Sequence, residues 1–241
     1  ERTQRAVERN FAEAWQALRQ DGRVMRLLVA VGLGTAGFAM QDVLLEPFGG
    51  QVLGLSVGAT TGLTALLAGG MLAAFAVAGR RLGRGAEPHR IAAYGALVGV
   101  FAFAVVTVTG AFASVTAFAL GVALIGFGGG LFGVGTVTAA MNLTRHGNSG
   151  LALGAWGAVQ ATASGVAVAA GGAIRDLVNG LAENGSLGVA LTGNATGYGA
   201  VYLIEVVLLF ATLVAIGPLA GFVGEARPEG ESGFGLAEFP G

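Results

Sequence analysis

Residues 41–50 read QDVLLEPFGG, and this stretch decides what kind of protein the chain is. It closes an apolar run that begins near Val24, placing Gln41, Asp42 and Glu46 in the last turns before Pro47 and the Gly49-Gly50 pair end the run. A helix rising about 1.5 Å per residue over that run is long enough to cross the roughly 30 Å hydrocarbon core of a bilayer. An ionisable group at such depth costs about 2.5 to 3.5 kcal/mol, so it is seldom kept for packing alone. Gln41, Asp42 and Glu46 are therefore candidate binding residues.

The rest of the chain has the same character. Of 241 residues, 54% are hydrophobic, only 11% are charged, and 44 are glycine, with a mean hydropathy of +0.73. A soluble domain carries about a quarter charged residues. This composition is that of an all-α integral membrane protein, because its apolar runs are of helical-span length and lack the short alternation of a membrane barrel. Absence of cysteine excludes disulfides and thiolate metal sites. His89 and His146 read as loop residues, and no ligand cluster calls for a metal ion. There is no phosphate-binding loop and no nucleophile with a base and an orienting group, so neither an enzyme nor a nucleic-acid binder is expected.

Residues 1–23 read as an amphipathic cytoplasmic linker helix, with Val7, Phe11, Trp15 and Leu18 on one side and arginines around the others. ERTQRAVERNFAEAWQALRQ is neither a signal nor a transit peptide, and it reads as the middle of a longer protein or as a processed or truncated form. Residues 24–223 form a six-helix bundle, with spans at about 24–45, 57–79, 91–110, 115–141, 151–173 and 200–223. The tail at 224–241 mixes Gly, Pro and Glu and is expected to be disordered. Between the last two spans, Ile174, Leu177, Val178 and Leu181 recur at one-face helical spacing, which predicts a short helix lying on the outer surface.

Thirteen arginines and no lysine supply the positive charge, and with a cytoplasmic N-terminus twelve fall on the cytoplasmic side, leaving only Arg175 outside. The positive-inside bias therefore predicts both termini in the cytoplasm. In the fourth span, Gly126 and Gly130 are four apart, as are Gly129 and Gly133, a spacing that lets neighbouring backbones approach. Trp156, Gln160, Thr162 and Ser164 in the fifth span read as bonding groups between helices. Glu205 falls about five residues into the predicted sixth span, roughly 8 Å below its outer end.

QDVLLEPFGGQVLG resembles the signature region of the PucC-type antenna assembly proteins, a branch of the major facilitator superfamily. Arg81-Leu82-Gly83-Arg84 resembles the core of that superfamily's cytoplasmic loop motif, although Arg80 stands where an aspartate is usual. The resemblance implies one half of a major facilitator fold, a 3+3 inverted repeat whose missing N-terminal six-helix half precedes it. It places the first and fourth helices along a cavity, the second and fifth against the other half, and the third and sixth outward. Glu205 would then sit on a peripheral helix, where it needs either a proton or a partner, and that partner is either a docked membrane component or a hydrogen-bonding group of its own bundle.

The resemblance further implies an assembly factor in the bacterial inner, intracytoplasmic photosynthetic membrane. That factor would bind and deliver bacteriochlorophyll or light-harvesting antenna polypeptides, with the photosynthetic core complex or bacteriochlorophyll synthase as further partners. Gln41, Asp42, Glu46 and Glu205 are the residues expected at the pigment or partner site. The fourth-span glycines would serve packing, form a smooth wall for a flat tetrapyrrole, or mark a bend. The alternative is a secondary transporter in which Asp42, Glu46 or Glu205 carries a coupling proton.

Overall fold

A computed structural model describes residues 16, 20–143, 149–188 and 191–221. The expected linker helix at 1–23, His146 and the tail at 224–241 lie largely or wholly outside these residues. Among the described residues the secondary structure is helical, without strands. Six stretches are long and apolar enough to cross a membrane: Gly22–Gln51, Val57–Gly83, Pro88–Gly110, Val115–Asn142, Gly150–Glu183 and Ala195–Ala220. Successive spans run in opposite directions, which follows from the short connections between them.

The first span is discontinuous. Helix α1 (Gly22–Ala39) starts where the Asp21 carboxylate accepts from the backbone N–H groups of Arg23 and Val24, at 2.9 and 3.4 Å. It gives way to a 3-10 turn at Met40–Val43, and a short helix α2 (Leu45–Gln51) completes the crossing. Pro47 was expected to end this span; it lies instead within the first turn of α2, where its missing N–H costs no helical bond.

The second span, α3 (Val57–Gly83), is capped by the Ser56 hydroxyl. Its last turn carries Arg80 and Arg81, and a turn through Gly85 at φ +84° leads into α4 (Pro88–Phe112). Pro88 occupies the first turn of α4, so His89, read from sequence as a loop residue, is helical and stands beside Glu87. Helix α5 (Val115–Leu143) packs along both α3 and α4.

Helix α6 (Ser149–Glu183) corrects the predicted surface helix. Its 35 residues run unbroken for about 52 Å, so Ile174, Leu177, Val178 and Leu181 extend the fifth span itself. The helix continues through the Gly171-Gly172 pair, and Gly171 lets it approach the 3-10 turn. A Cβ there would lie 2.6 Å from the Met40 carbonyl oxygen. Helix α7 (Ala195–Gly221) returns against α4, α1 and α6.

The core is aromatic on the side of the bundle away from Arg80–Arg84. The Phe48 ring lies 4.9 Å from Phe118, 5.3 Å from Tyr198 and 5.8 Å from Tyr202, and Phe38 bridges Phe103 and Phe132. Leu44, Leu45, Phe48 and Gly49 of the QDVLLEPFGG stretch are all buried. The stretch is thus as much a packing element as a polar one.

Candidate functional site

Breaking a helix inside the bilayer leaves backbone groups without their usual partners, and in hydrocarbon they must be satisfied by protein. The break at Met40–Val43 meets this demand with side chains. The Gln41 N–H donates to Glu205 Oε1 at 2.7 Å, and the Gln41 side-chain Nε2 donates to the Phe38 carbonyl at 3.1 Å and to Asp42 Oδ1 at 2.5 Å. Gln41 therefore joins two acids, one from its own span and one from the sixth.

The two acids face different surroundings. Glu205 is fully enclosed, at 0% exposure, ten residues and about 15 Å inside the start of α7. This corrects the expectation of a peripheral acid only about 8 Å deep on an outward-facing surface. Helix α7 starts five residues earlier than predicted, and Glu205 turns toward the break in α1. Asp42, by contrast, is exposed and lines a cleft of about 200 Å³.

The cleft lies among α1, α3, α5 and α6. Thr35, Phe38 and Gln41 line it from the first span, Leu67 and Met71 from the second, Gly129, Phe132 and Gly133 from the fourth, and Gln160 from the fifth. Gln41 is 2% exposed, and its buried Oε1 has no hydrogen-bond partner among the described residues.

The fourth-span glycines divide between two tasks. A Cβ at Gly126 would run into the Leu67 carbonyl, and one at Gly130 would lie 2.8 Å from the Ala74 Cβ, so this pair seats α5 against α3. Gly129 instead faces the Phe38 ring, and Gly133 has nothing within 4 Å of where its Cβ would be. Gly129 and Gly133 form a bare wall of the cleft. Trp156 behaves as read from sequence, its indole N–H donating to the Thr136 hydroxyl across 3.3 Å.

Glu46 is not brought to Gln41 and Asp42; it accepts from the Thr64 hydroxyl at 2.7 Å and ties α2 to α3. Arg81, Gly83 and Arg84 are exposed at the opposite end of the bundle, where the Arg81 carbonyl accepts from the Arg84 and Ala86 N–H groups at 3.1 and 3.0 Å.

Sequence reasoning missed a second polar cluster. The Arg175 Nη2 donates to Gln51 Oε1 and to the Tyr198 hydroxyl, both at 2.7 Å, and Tyr198 donates to the same Gln51 oxygen at 2.8 Å. The guanidinium also stands 4.6 Å from the Tyr198 ring centroid. This triad ties the ends of the first, fifth and sixth spans together. The signal for it was Arg175 itself, the lone arginine assigned to the outer side.

Six apolar helices around a polar break define a multi-pass membrane protein with an internal cleft. The family described as PUCC protein matches residues 1–222, and the chain belongs to the PucC family. It is 51% identical over 238 residues to an uncharacterized protein in the puhA-bchM intergenic region of Rhodobacter capsulatus, covering 98% of this chain and 50% of that protein. It is 52% identical over 157 residues to Protein PucC of Rhodovulum sulfidophilum, covering 65% of this chain and 35% of that one. To Protein PucC of Cereibacter sphaeroides it is 44% identical over 214 residues, 88% and 45% of the respective chains. The chain spans about half the length of the curated relatives it matches, or less.

Proposed function

We propose that this protein is a membrane assembly factor for photosynthetic light-harvesting complexes and that the cleft at the first-span break takes bacteriochlorophyll or an antenna polypeptide. The observation that carries this reading is the cleft itself: the Asp42 carboxylate, the Gln160 amide and a glycine wall, in a chain of the PucC family. The residues suit a flat pigment. Gly133 leaves a space that a side chain would fill, Phe38 and Phe132 offer aromatic surface, and Thr35 and Gln160 are hydrogen-bond donors for ring carbonyl substituents. A bound chlorin would supply the pigment to be delivered; this chain's residues would hold and orient it.

The cleft is smaller than the about 300 Å³ lower bound of ordinary ligand pockets, so an occupant extends beyond it onto the flanking helices. Those helices are open. The most apolar stretches of α3 and α6 are each only 17% buried. Gly58, Gly62, Ala65 and Gly69 on α3, and Gly154, Ala158, Thr162 and Gly165 on α6, form exposed small-residue stripes suited to close helix contact. This supports a major facilitator half whose second and fifth helices meet another six-helix unit, with Arg81 and Arg84 at the cytoplasmic end. We place it in the bacterial intracytoplasmic membrane.

Mass spectrometry and absorbance of the gently solubilised protein test the reading together. A chlorin band or co-purifying antenna subunits, reduced several-fold by Gln41→Ala or Asp42→Asn, is the expected result. Wild-type protein carrying neither pigment nor antenna subunits would refute it.

A second reading has its own support. Broken helices with acids at the break hold coupling ions in secondary transporters, and Asp42 and Glu205 meet that description. Colourless protein that drives proton-coupled uptake of a small solute into vesicles would favour this alternative.

A further inference from the structure

We propose that Glu205 is a proton-binding site, holding its proton while the first span is broken at Met40–Val43. This inference does not depend on what occupies the cleft. Three observations lead to it. Glu205 is fully enclosed, and among the described residues only one of its oxygens is used: Oε1 accepts from the Gln41 N–H, while Oε2 has no partner. A buried carboxylate with one peptide N–H and no cation is far from the two or three donors that stabilise a bare charge. The neutral acid removes that charge and leaves Oε1 free to accept as it does.

The surroundings supply no counter-charge among the described residues. On its own helix the nearest titratable groups are Tyr202, whose buried hydroxyl is also without a partner, and Tyr198. The first span contributes Asp42 near the break, with Arg23 and Arg26 at the far end of α1. Helix α4 carries His89, Arg90 and Tyr94, all near its start and far along the bundle. Helix α6 carries Arg175, whose guanidinium bonds to Gln51, Tyr198 and Asp176, then Asp176 and Glu183 further out.

Gln41 donates to both acids, through its peptide N–H to Glu205 and through its side-chain Nε2 to Asp42, so it ties the proton site to the acid that opens into the cleft without itself relaying a proton. In the exchange, the O–H bond at Glu205 Oε2 breaks and its electron pair stays on the carboxylate. The proton passes to water admitted when the site opens. One proton leaves, and Glu205 gains one negative charge.

Infrared difference spectroscopy of the protein in mild detergent tests this without pigment or partner. The expected result is a protonated-carboxyl stretch at neutral pH that is lost in Glu205→Gln and kept in Glu46→Gln. Its absence from wild-type protein, or its persistence in Glu205→Gln, overturns the site. If Glu205→Gln is not recovered folded, carboxyl-labelled glutamate must shift the band, and a band that does not shift overturns the site equally. Because the chain has no cysteine, Thr35→Cys gives a clean labelling reporter of the cleft. Its labelling should change as the band bleaches at alkaline pH, and should not change with pH in Glu205→Gln; labelling that ignores the band overturns the coupling to the break.

Discussion

The peptide N–H of Gln41 donates to Oε1 of Glu205 across 2.7 Å, binding the first span to the sixth where the first departs from α-helical geometry. A hydrogen bond spanning 164 positions of sequence fixes where the break falls. Glu205→Gln keeps an acceptor oxygen and should retain most of the stability. Glu205→Leu leaves the buried N–H unsatisfied and should cost about 1–3 kcal/mol, read as lower thermal stability in detergent.

Glycines about two turns apart in the fourth span should respond in opposite ways. Gly126→Ala places a methyl group against the Leu67 backbone and should destabilise by about 1–3 kcal/mol through overpacking. Gly133→Ala meets nothing and should leave the melting temperature within error. Enlarging the same position, as Gly133→Leu, should fill the cleft and reduce co-purifying pigment or antenna subunits while the protein still folds. Thermal denaturation of all three, with absorbance of the last, checks this.

Arg175 joins three spans through one planar group. Arg175→Ala removes its bonds to Gln51 and Tyr198 and should cost about 1–3 kcal/mol. Arg175→Lys should rescue only part of the loss, because a single ammonium cannot reproduce the guanidinium fork or its stacking on Tyr198. Equal stability of the lysine variant and wild type would refute that account.

The arginine asymmetry predicts which end meets the cytoplasm. Gly83→Cys and Ser186→Cys place single thiols at exposed positions on opposite ends of the bundle. In right-side-out vesicles, an impermeant thiol reagent should label Ser186→Cys and spare Gly83→Cys. The reverse pattern would invert the proposed topology.

By itself the sequence determined six crossings, their order and the polar stretch at 41–50, because chain hydropathy is a local property and lipid compels each span to satisfy its backbone internally. Tertiary structure alone decided which way the sixth span turns. Helix α7 is apolar on nearly every side, so no periodicity marks the face that carries Glu205 inward; contact with the α1 break does. The same holds for α6, whose Gly171 is placed against the Met40 backbone, and for the fourth span, where glycines of identical spacing became a helix seam in one case and a cleft wall in the other. Spacing records which residues share a face, but a face acquires its role only from the helix, or the open space, that lies across from it.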